Sequence, residues 1–232
     1  LQMSDNVEID ETRMLTNDQL EERYQQLDQR EQMLLRPGMW IGSIKKANDL
    51  HYVYDKEMNR MVKIELSIAP GLFKLFDEII VNAYDRCAQL IDPVTKKIEV
   101  NINTDSIRVS NDGESIPIDI HPTKKVYIPE LLFTRENSST NYRDEVSRFT
   151  GGLNGIGAKA TNIFSTKFNV SIKNPQYKST FDQTCHNNMS IVDPPVVNSK
   201  YKGKTYETAI EYWPDFVRFD EMTEFDEDII LL

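Results

Sequence analysis

Apolar residues recur at helical spacing most clearly in the stretch that begins at Leu72. Taking ~100° per residue, Leu72, Leu75, Phe76, Ile79, Ile80 and Ala83 fall on one face of a helix. Upstream, Asp18 to Leu35 favours helix and is stopped by the breaker Arg36-Pro37-Gly38; the polar, unpatterned residues 1–17 read as a mobile arm. Alternating patterns predict strands at Tyr52-Val53-Tyr54 and at Val62 to Leu66, around a polar turn at Asn59-Arg60. They also predict an antiparallel pair at Ile98–Ile102 and Ser106–Ser110, joined at Asn103-Thr104-Asp105.

From Glu114 to Thr150 the chain is polar apart from a short apolar patch at Ile128–Phe133, and it reads as a long, partly mobile loop of the kind that covers a ligand. A glycine-dense turn closes that loop, and Ala158–Ser165 is helical in character. Strand patterns follow at Lys167–Ile172, Ser179–Phe181 and Thr208–Tyr212. Strands interleaved with one central helix and a glycine loop predict an α+β fold, a two-layer sandwich with helices on one face of a mixed, mostly antiparallel sheet, in a single domain.

Composition narrows the function classes. Two cysteines, Cys87 and Cys185, lack CxxC spacing and three histidines are scattered, which argues against a zinc site or a disulfide framework and suits a reducing compartment. No apolar run is long enough for a membrane span, and the polar N-terminus is unlike a signal peptide, so a soluble protein is expected. A formal charge of −10 argues against a surface that grips a nucleic-acid backbone, so any link to DNA is expected to be indirect.

Three constellations carry chemistry. Glu78, Asn82 and Asp85, at i, i+4 and i+7 on the central helix, share one stripe at the edge of its apolar face. A carboxylate next to a carboxamide suits water activation beside a hard cation such as Mg²⁺; the same spacing also suits a solvated face. Gly151 to Lys159 enters a helix with four glycines, letting backbone N–H groups approach phosphate oxygens while Lys159 adds a point charge; a purely structural glycine turn has the same pattern. Asn111-Asp112-Gly113 closes a predicted strand, where Asn111 or Asp112 could bond a base edge and Gly113 could leave space for the ring; an ordinary turn also fits.

In this order the three elements resemble the Bergerat nucleotide fold of the GHKL superfamily. Within it, Leu34-Leu35-Arg36-Pro37, Trp40 to Ser43, Phe76 to Ala83, Tyr127 to Leu131, Thr150 to Lys159 and Asn162 to Phe168 resemble the ATPase region of eukaryotic-type, type IIA DNA topoisomerases. The resemblance implies a GHKL ATPase domain over 18–232, with an N-terminal strap over 18–45, using ATP and Mg²⁺. Glu78 would be the general base, and Asn82 would hold Mg²⁺ bridging the phosphates. Asp85, Asn111 and Gly113 would line the nucleotide, with Asn111 on the adenine amino group. Ser139, Thr140 and Asn141 would contact ribose and phosphate, and Gly152, Asn154, Gly155, Ile156, Gly157, Ala158 and Lys159 would wrap the phosphates.

Tyr24 matches the strap that reaches the partner subunit's nucleotide, so the resemblance further implies a homodimer closed by ATP and coupled to passage of double-stranded DNA. DNA would be engaged through the full-length enzyme alone, no membrane would be involved, and the location would be the nucleus, or host cytoplasm or virion for a viral member. The sequence departs from the family at Ser115, in place of a second glycine, at Arg86, in place of a small polar residue, and near Gln89, where an arginine is expected. No counterpart of the transducer domain or of the DNA-cleaving tyrosine is recognisable, which implies a fragment that hydrolyses ATP slowly. The rival readings are another GHKL ATPase, of chaperone or mismatch-repair type, and a catalytically silent interaction module on the same fold.

Overall fold

A computed structural model describes Thr16, Asp18 and residues 27–88, 97–113, 115–135, 156–220 and 222–225. Its elements in chain order are α1 (Gln29–Leu35), a 3-10 turn (Pro37–Met39), β1 (Ala47–Asp55), β2 (Arg60–Ile68), α2 (Pro70–Ala88), β3 (Ile98–Ile102), β4 (Ile107–Asn111), α3 (Ile128–Thr134), α4 (Gly157–Ile163), β5 (Ser165–Asn174), β6 (Ser179–His186), β7 (Ile191–Val192), β8 (Val196–Asn198), β9 (Glu207–Pro214) and a second 3-10 turn (Phe216–Arg218).

The main sheet runs β3-β4-β9-β5-β6-β7, with β8 also paired to β6. Every pairing among the described residues is antiparallel. The α+β expectation with a mostly antiparallel sheet is met, the described pairings all being antiparallel. β9, the last described strand in sequence, is inserted between β4 and β5, so the centre of the sheet joins strands far apart along the chain.

The period of 3.6 in α2 has the consequence expected of it. Leu72, Leu75, Ile79 and Ala83 are buried against the inner face of the sheet, which presents Val109, Phe168, Val170, Ile172, Phe181 and Ile210. α4 lies beside α2 in the same layer and is almost entirely buried. The Thr161 hydroxyl donates to the Leu75 carbonyl at 3.1 Å, and the Asn162 amide donates to the Phe133 carbonyl at 3.1 Å, tying α4 to both α2 and α3. These bonds supply buried carbonyls with partners they would otherwise lack.

Three expectations need correction. A helix running from Asp18 to Leu35 is interrupted: Leu27 and Asp28 are not helical, and α1 starts anew at Gln29. The reason is a capping box, with the Asp28 carboxylate accepting from the Glu31 N–H at 2.7 Å and the Glu31 carboxylate accepting from the Asp28 N–H at 3.1 Å. The apolar patch inside the expected loop is the helix α3, in which Pro129 near the start and the burial of Phe133 under Phe168 favour about two packed turns over a mobile cover. The first two strands are longer than their apolar cores, because β1 and β2 pair over their full length from Ala47↔Ile68 to Asp55↔Arg60. They form a separate two-stranded hairpin with its own small cluster of Val53, Leu66 and Ile68.

Candidate nucleotide site

α2 carries the acidic stripe to one side of its buried face. Asp85 is 7% exposed, and Glu78 and Asn82 are half-buried, so the stripe is not an open solvated surface. Glu78 points at the beginning of α4: a Cβ built on Gly157 would lie 1.7 Å from Glu78 Oε2. Glu78 therefore meets the described end of the glycine-rich segment, and Gly157 lacks a side chain where any other residue would push the carboxylate away. The Lys74 ammonium, one turn before Glu78, lies 2.8 Å from Glu78 Oε1 and 2.7 Å from Asp77 Oδ2. Hydrogen bonds to Asp77, then to Glu78, hold the Lys74 pKa above its ordinary value. Lys74 was not anticipated from sequence, although its i, i+4 spacing to Glu78 is a readable signal.

Lys159 sits in the first turn of α4 and is 4% exposed. Burial lowers its pKa to about 8, because a cation held away from water loses solvation that the neutral amine does not need. Ile156 and Ala158 flank Gly157 at the same entry, with Ala158 buried. The Asn82 carboxamide makes no hydrogen bond within the described residues, which leaves its oxygen available to a ligand.

The donor set bears on the implied metal. Among the described residues no three His, Cys, Asp or Glu side chains cluster to hold an ion. A cation here would take few protein oxygens, with Asn82 the free one, and most of its ligands from phosphate and water, which is the coordination habit of Mg²⁺.

About two turns further along α2 the surroundings are different. Asn111, at the last position of β4, is 7% exposed. Its amide donates to the Thr208 carbonyl at 3.3 Å, and its oxygen accepts the Gly113 N–H at 3.2 Å, so the side chain is oriented by the protein itself. One amide hydrogen and one lone pair of the oxygen remain. The space a Cβ would take at Gly113 is filled by α2 backbone, with Arg86 carbon and oxygen at 2.7 Å and Cys87 nitrogen at 2.8 Å. The reading of Gly113 as space for a ring is thus replaced by a packing reason: the turn after β4 lies directly on α2. Ser115, two residues on, has a buried hydroxyl with no partner among the described residues.

Glu78 thus meets Gly157 at the entry to α4, Asn82 and Asp85 follow it along α2, and Gly113 lies on the backbone of the same helix at Arg86 and Cys87, about two turns past Glu78. Tyr24, Ser139, Thr140, Asn141, Gly152, Asn154 and Gly155 lie outside the described residues.

No family model matches the chain. It is 44% identical over 211 residues to DNA topoisomerase 2 of Candida glabrata, which covers 90% of this chain and 15% of that protein. To DNA topoisomerase 2 of Plasmodium falciparum it is 44% identical over 221 residues, covering 93% of this chain and 16% of that protein. The chain therefore spans about 15% of the length of these curated relatives.

Among solved structures, the ATPase region of Saccharomyces cerevisiae topoisomerase II superposes with a TM-score of 0.84 at 42% identity, over 90% of this chain and 55% of that one. The ATPase and transducer domains of DNA topoisomerase II from Balamuthia mandrillaris give a TM-score of 0.83 at 39% identity, over 90% and 54%. The 43K ATPase domain of Thermus thermophilus gyrase B, at 22% identity, a TM-score of 0.60 and coverage of 87% and 43%, shares the fold. Sequence and fold together match this chain to the ATPase region of eukaryotic DNA topoisomerase II.

Proposed function

We propose that this chain binds ATP between α2 and the glycine-rich turn, hydrolyses it, and serves as the N-terminal ATP-operated gate of a type IIA DNA topoisomerase. The observation that carries the reading is the approach of the Glu78 carboxylate to Gly157 at the entry to α4, with the Lys159 ammonium buried in the same turn. A carboxylate and a shielded cation held that close to a glycine backbone suit a triphosphate whose terminal group lies near Glu78.

In this reading Glu78 orients and deprotonates the attacking water, and Lys74 keeps its carboxylate directed at the turn. The N–H groups from Ile156 to Lys159 and the Lys159 ammonium hold phosphate oxygens. Asn82 offers the free carboxamide oxygen for Mg²⁺, which when bound neutralises phosphate charge. Asn111 keeps one lone pair and one amide hydrogen for the base, and its pre-set orientation lowers the ordering cost of binding. Tyr24, residues 139–141 and residues 152–155 complete the site by resemblance to the family. Domain 18–232, its strap 18–45, closure of a homodimer by ATP and coupling to DNA passage belong to the same proposal.

A thermal melt with a non-hydrolysable ATP analogue plus Mg²⁺ tests the binding claim. Ligand at about 100 times Kd stabilises by about 2.7 kcal/mol, or roughly 5–10 °C for a chain of this size. An unchanged Tm at millimolar analogue favours the silent interaction module instead.

A further inference from the structure

The chain carries a strong negative excess, with 37 Asp and Glu against 27 Lys and Arg, yet two segments on one edge of the sheet reverse that sign. Residues 170–181, which span the β5–β6 turn, contain Lys173 and Lys178 and no carboxylate. Residues 194–206, which run through β8 into the approach to β9, contain Lys200, Lys202 and Lys204 and again no carboxylate. The fold brings the two together: the Tyr201 N–H donates to the Lys178 carbonyl at 2.9 Å, and β8 pairs with β6 from Thr180↔Asn198 to Asp182↔Val196.

The loop that presents these lysines is built around a tyrosine. Tyr201 hydroxyl donates to the Thr205 carbonyl at 3.1 Å, and its ring lies over Gly203, where a Cβ would meet ring and hydroxyl atoms at 2.3–2.7 Å. The Lys200 N–H donates to the Asn198 side chain at 2.9 Å. With Tyr201 turned inward, Lys200, Lys202 and Lys204 are exposed, as is Lys178 beside them. None of these four ammonium groups has an ion-pair partner among the described residues. Glu207, the next carboxylate along the chain, is taken up by Arg108 and Lys173. Tyr177 and Tyr206 flank the cluster, each more than a third exposed, with hydroxyls that bond nothing within the described residues.

We infer that this surface, Lys178, Lys200, Lys202 and Lys204 framed by Tyr177 and Tyr206, contacts the phosphate backbone of a DNA duplex. Clustered, unpaired lysines on a braced loop, with phenol donors beside them, are the groups that read phosphate without reading sequence. The inference replaces the expectation that net charge alone excludes direct DNA contact, since local charge and not the total meets a phosphate. The choice of DNA over another polyanion rests on the proposed topoisomerase role; the surface itself does not depend on nucleotide binding.

The test is fluorescence anisotropy of a labelled duplex of about 30 base pairs with this chain and with the Lys178→Gln/Lys200→Gln/Lys202→Gln/Lys204→Gln variant, from about 50 to 200 mM salt. We expect salt-sensitive binding by the unaltered chain and a loss of at least about tenfold at low salt in the variant, with the slope of log K against log salt falling by roughly 0.9 per lost phosphate contact. The variant's melt with the ATP analogue should match that of the unaltered chain, which shows that the fold and the nucleotide site are intact. Equal duplex binding by both proteins, no duplex binding by either, or tighter binding to phosphatidylserine vesicles than to duplex overturns the inference. A lost analogue response together with a lysine-dependent duplex response overturns the ATP reading and leaves this surface standing.

Discussion

Gly113 and Gly157 both lie against α2, about two turns apart, and the two ends of this stretch are held by different forces. At Gly113 the neighbour is backbone, and the adjacent Asn111 carboxamide is already bonded to Thr208 and to Gly113 itself. At Gly157 the neighbour is the Glu78 carboxylate, and nearby stand a cation with a depressed pKa and a carboxamide with no partner within the described residues. One end is finished by the protein. The other keeps groups whose energetics a polyanionic ligand would improve, which is the distribution expected when binding specificity and chemistry are divided between the ends of a site.

The sharpest way to break the comparison is at the chemical end. Glu78→Gln keeps the size of the side chain and removes its basicity; ATP turnover should fall about 10²–10⁴-fold while analogue binding, read by calorimetry, persists. Turnover at the original rate would remove Glu78 from the role of base.

Next come the two glycines under the same substitution. Gly113→Ala forces a methyl into α2 backbone that cannot give way, at a cost of about 1–3 kcal/mol or more, and should lower Tm by several degrees. Gly157→Ala meets the far end of a flexible side chain, so Glu78 should swing aside with little change in Tm while turnover drops. Similar melting losses in both variants would dissolve the distinction between the ends.

The pH dependence is smaller and comes from Lys159. Its folded-state pKa of about 8 lies below the ordinary 10.5, so between those values the unfolded chain holds a proton that the folded chain has shed. This group's contribution to stability therefore rises as pH goes from about 8 to 10.5. Nucleotide affinity runs the opposite way, since phosphate needs the charged ammonium: it should be level below pH 8 and weaken by about tenfold near pH 9, with proton uptake on binding. Calorimetry in two buffers of different ionisation enthalpy reads both quantities. The smallest expected effect lies in the core. The Tyr212 hydroxyl is buried without a partner among the described residues, so Tyr212→Phe should raise stability by about 1 kcal/mol, or 2–4 °C.

The sequence was most legible where one period dominates. Leu72, Leu75, Ile79 and Ala83 announced α2, and the alternation of β3, β4, β5 and β9 announced the sheet. The order of strands was not legible, because the placement of β9 between β4 and β5 depends on long-range pairing that no local pattern encodes. The break before α1 was written in Asp28 and Glu31, a capping signature that the surrounding helix-favouring residues obscured.

At the site, Glu78, Asn82 and the glycine turn could be named from spacing, but the meeting of Glu78 with Gly157 could not, since it depends on α4 being pinned to α2 through Thr161 and Leu75. The Gly113 end misled for a physical reason: an Asn-x-Gly after a strand looks the same whether the glycine faces a ligand or, as here, a helix backbone.

A crystal structure of this chain with a non-hydrolysable ATP analogue and Mg²⁺ addresses the central claim most directly. The terminal phosphate should lie between the Glu78 carboxylate and the backbone at Gly157, within hydrogen-bonding distance of Lys159. Phosphates bound away from Gly157, with Glu78 still filling the space above it, would contradict that claim.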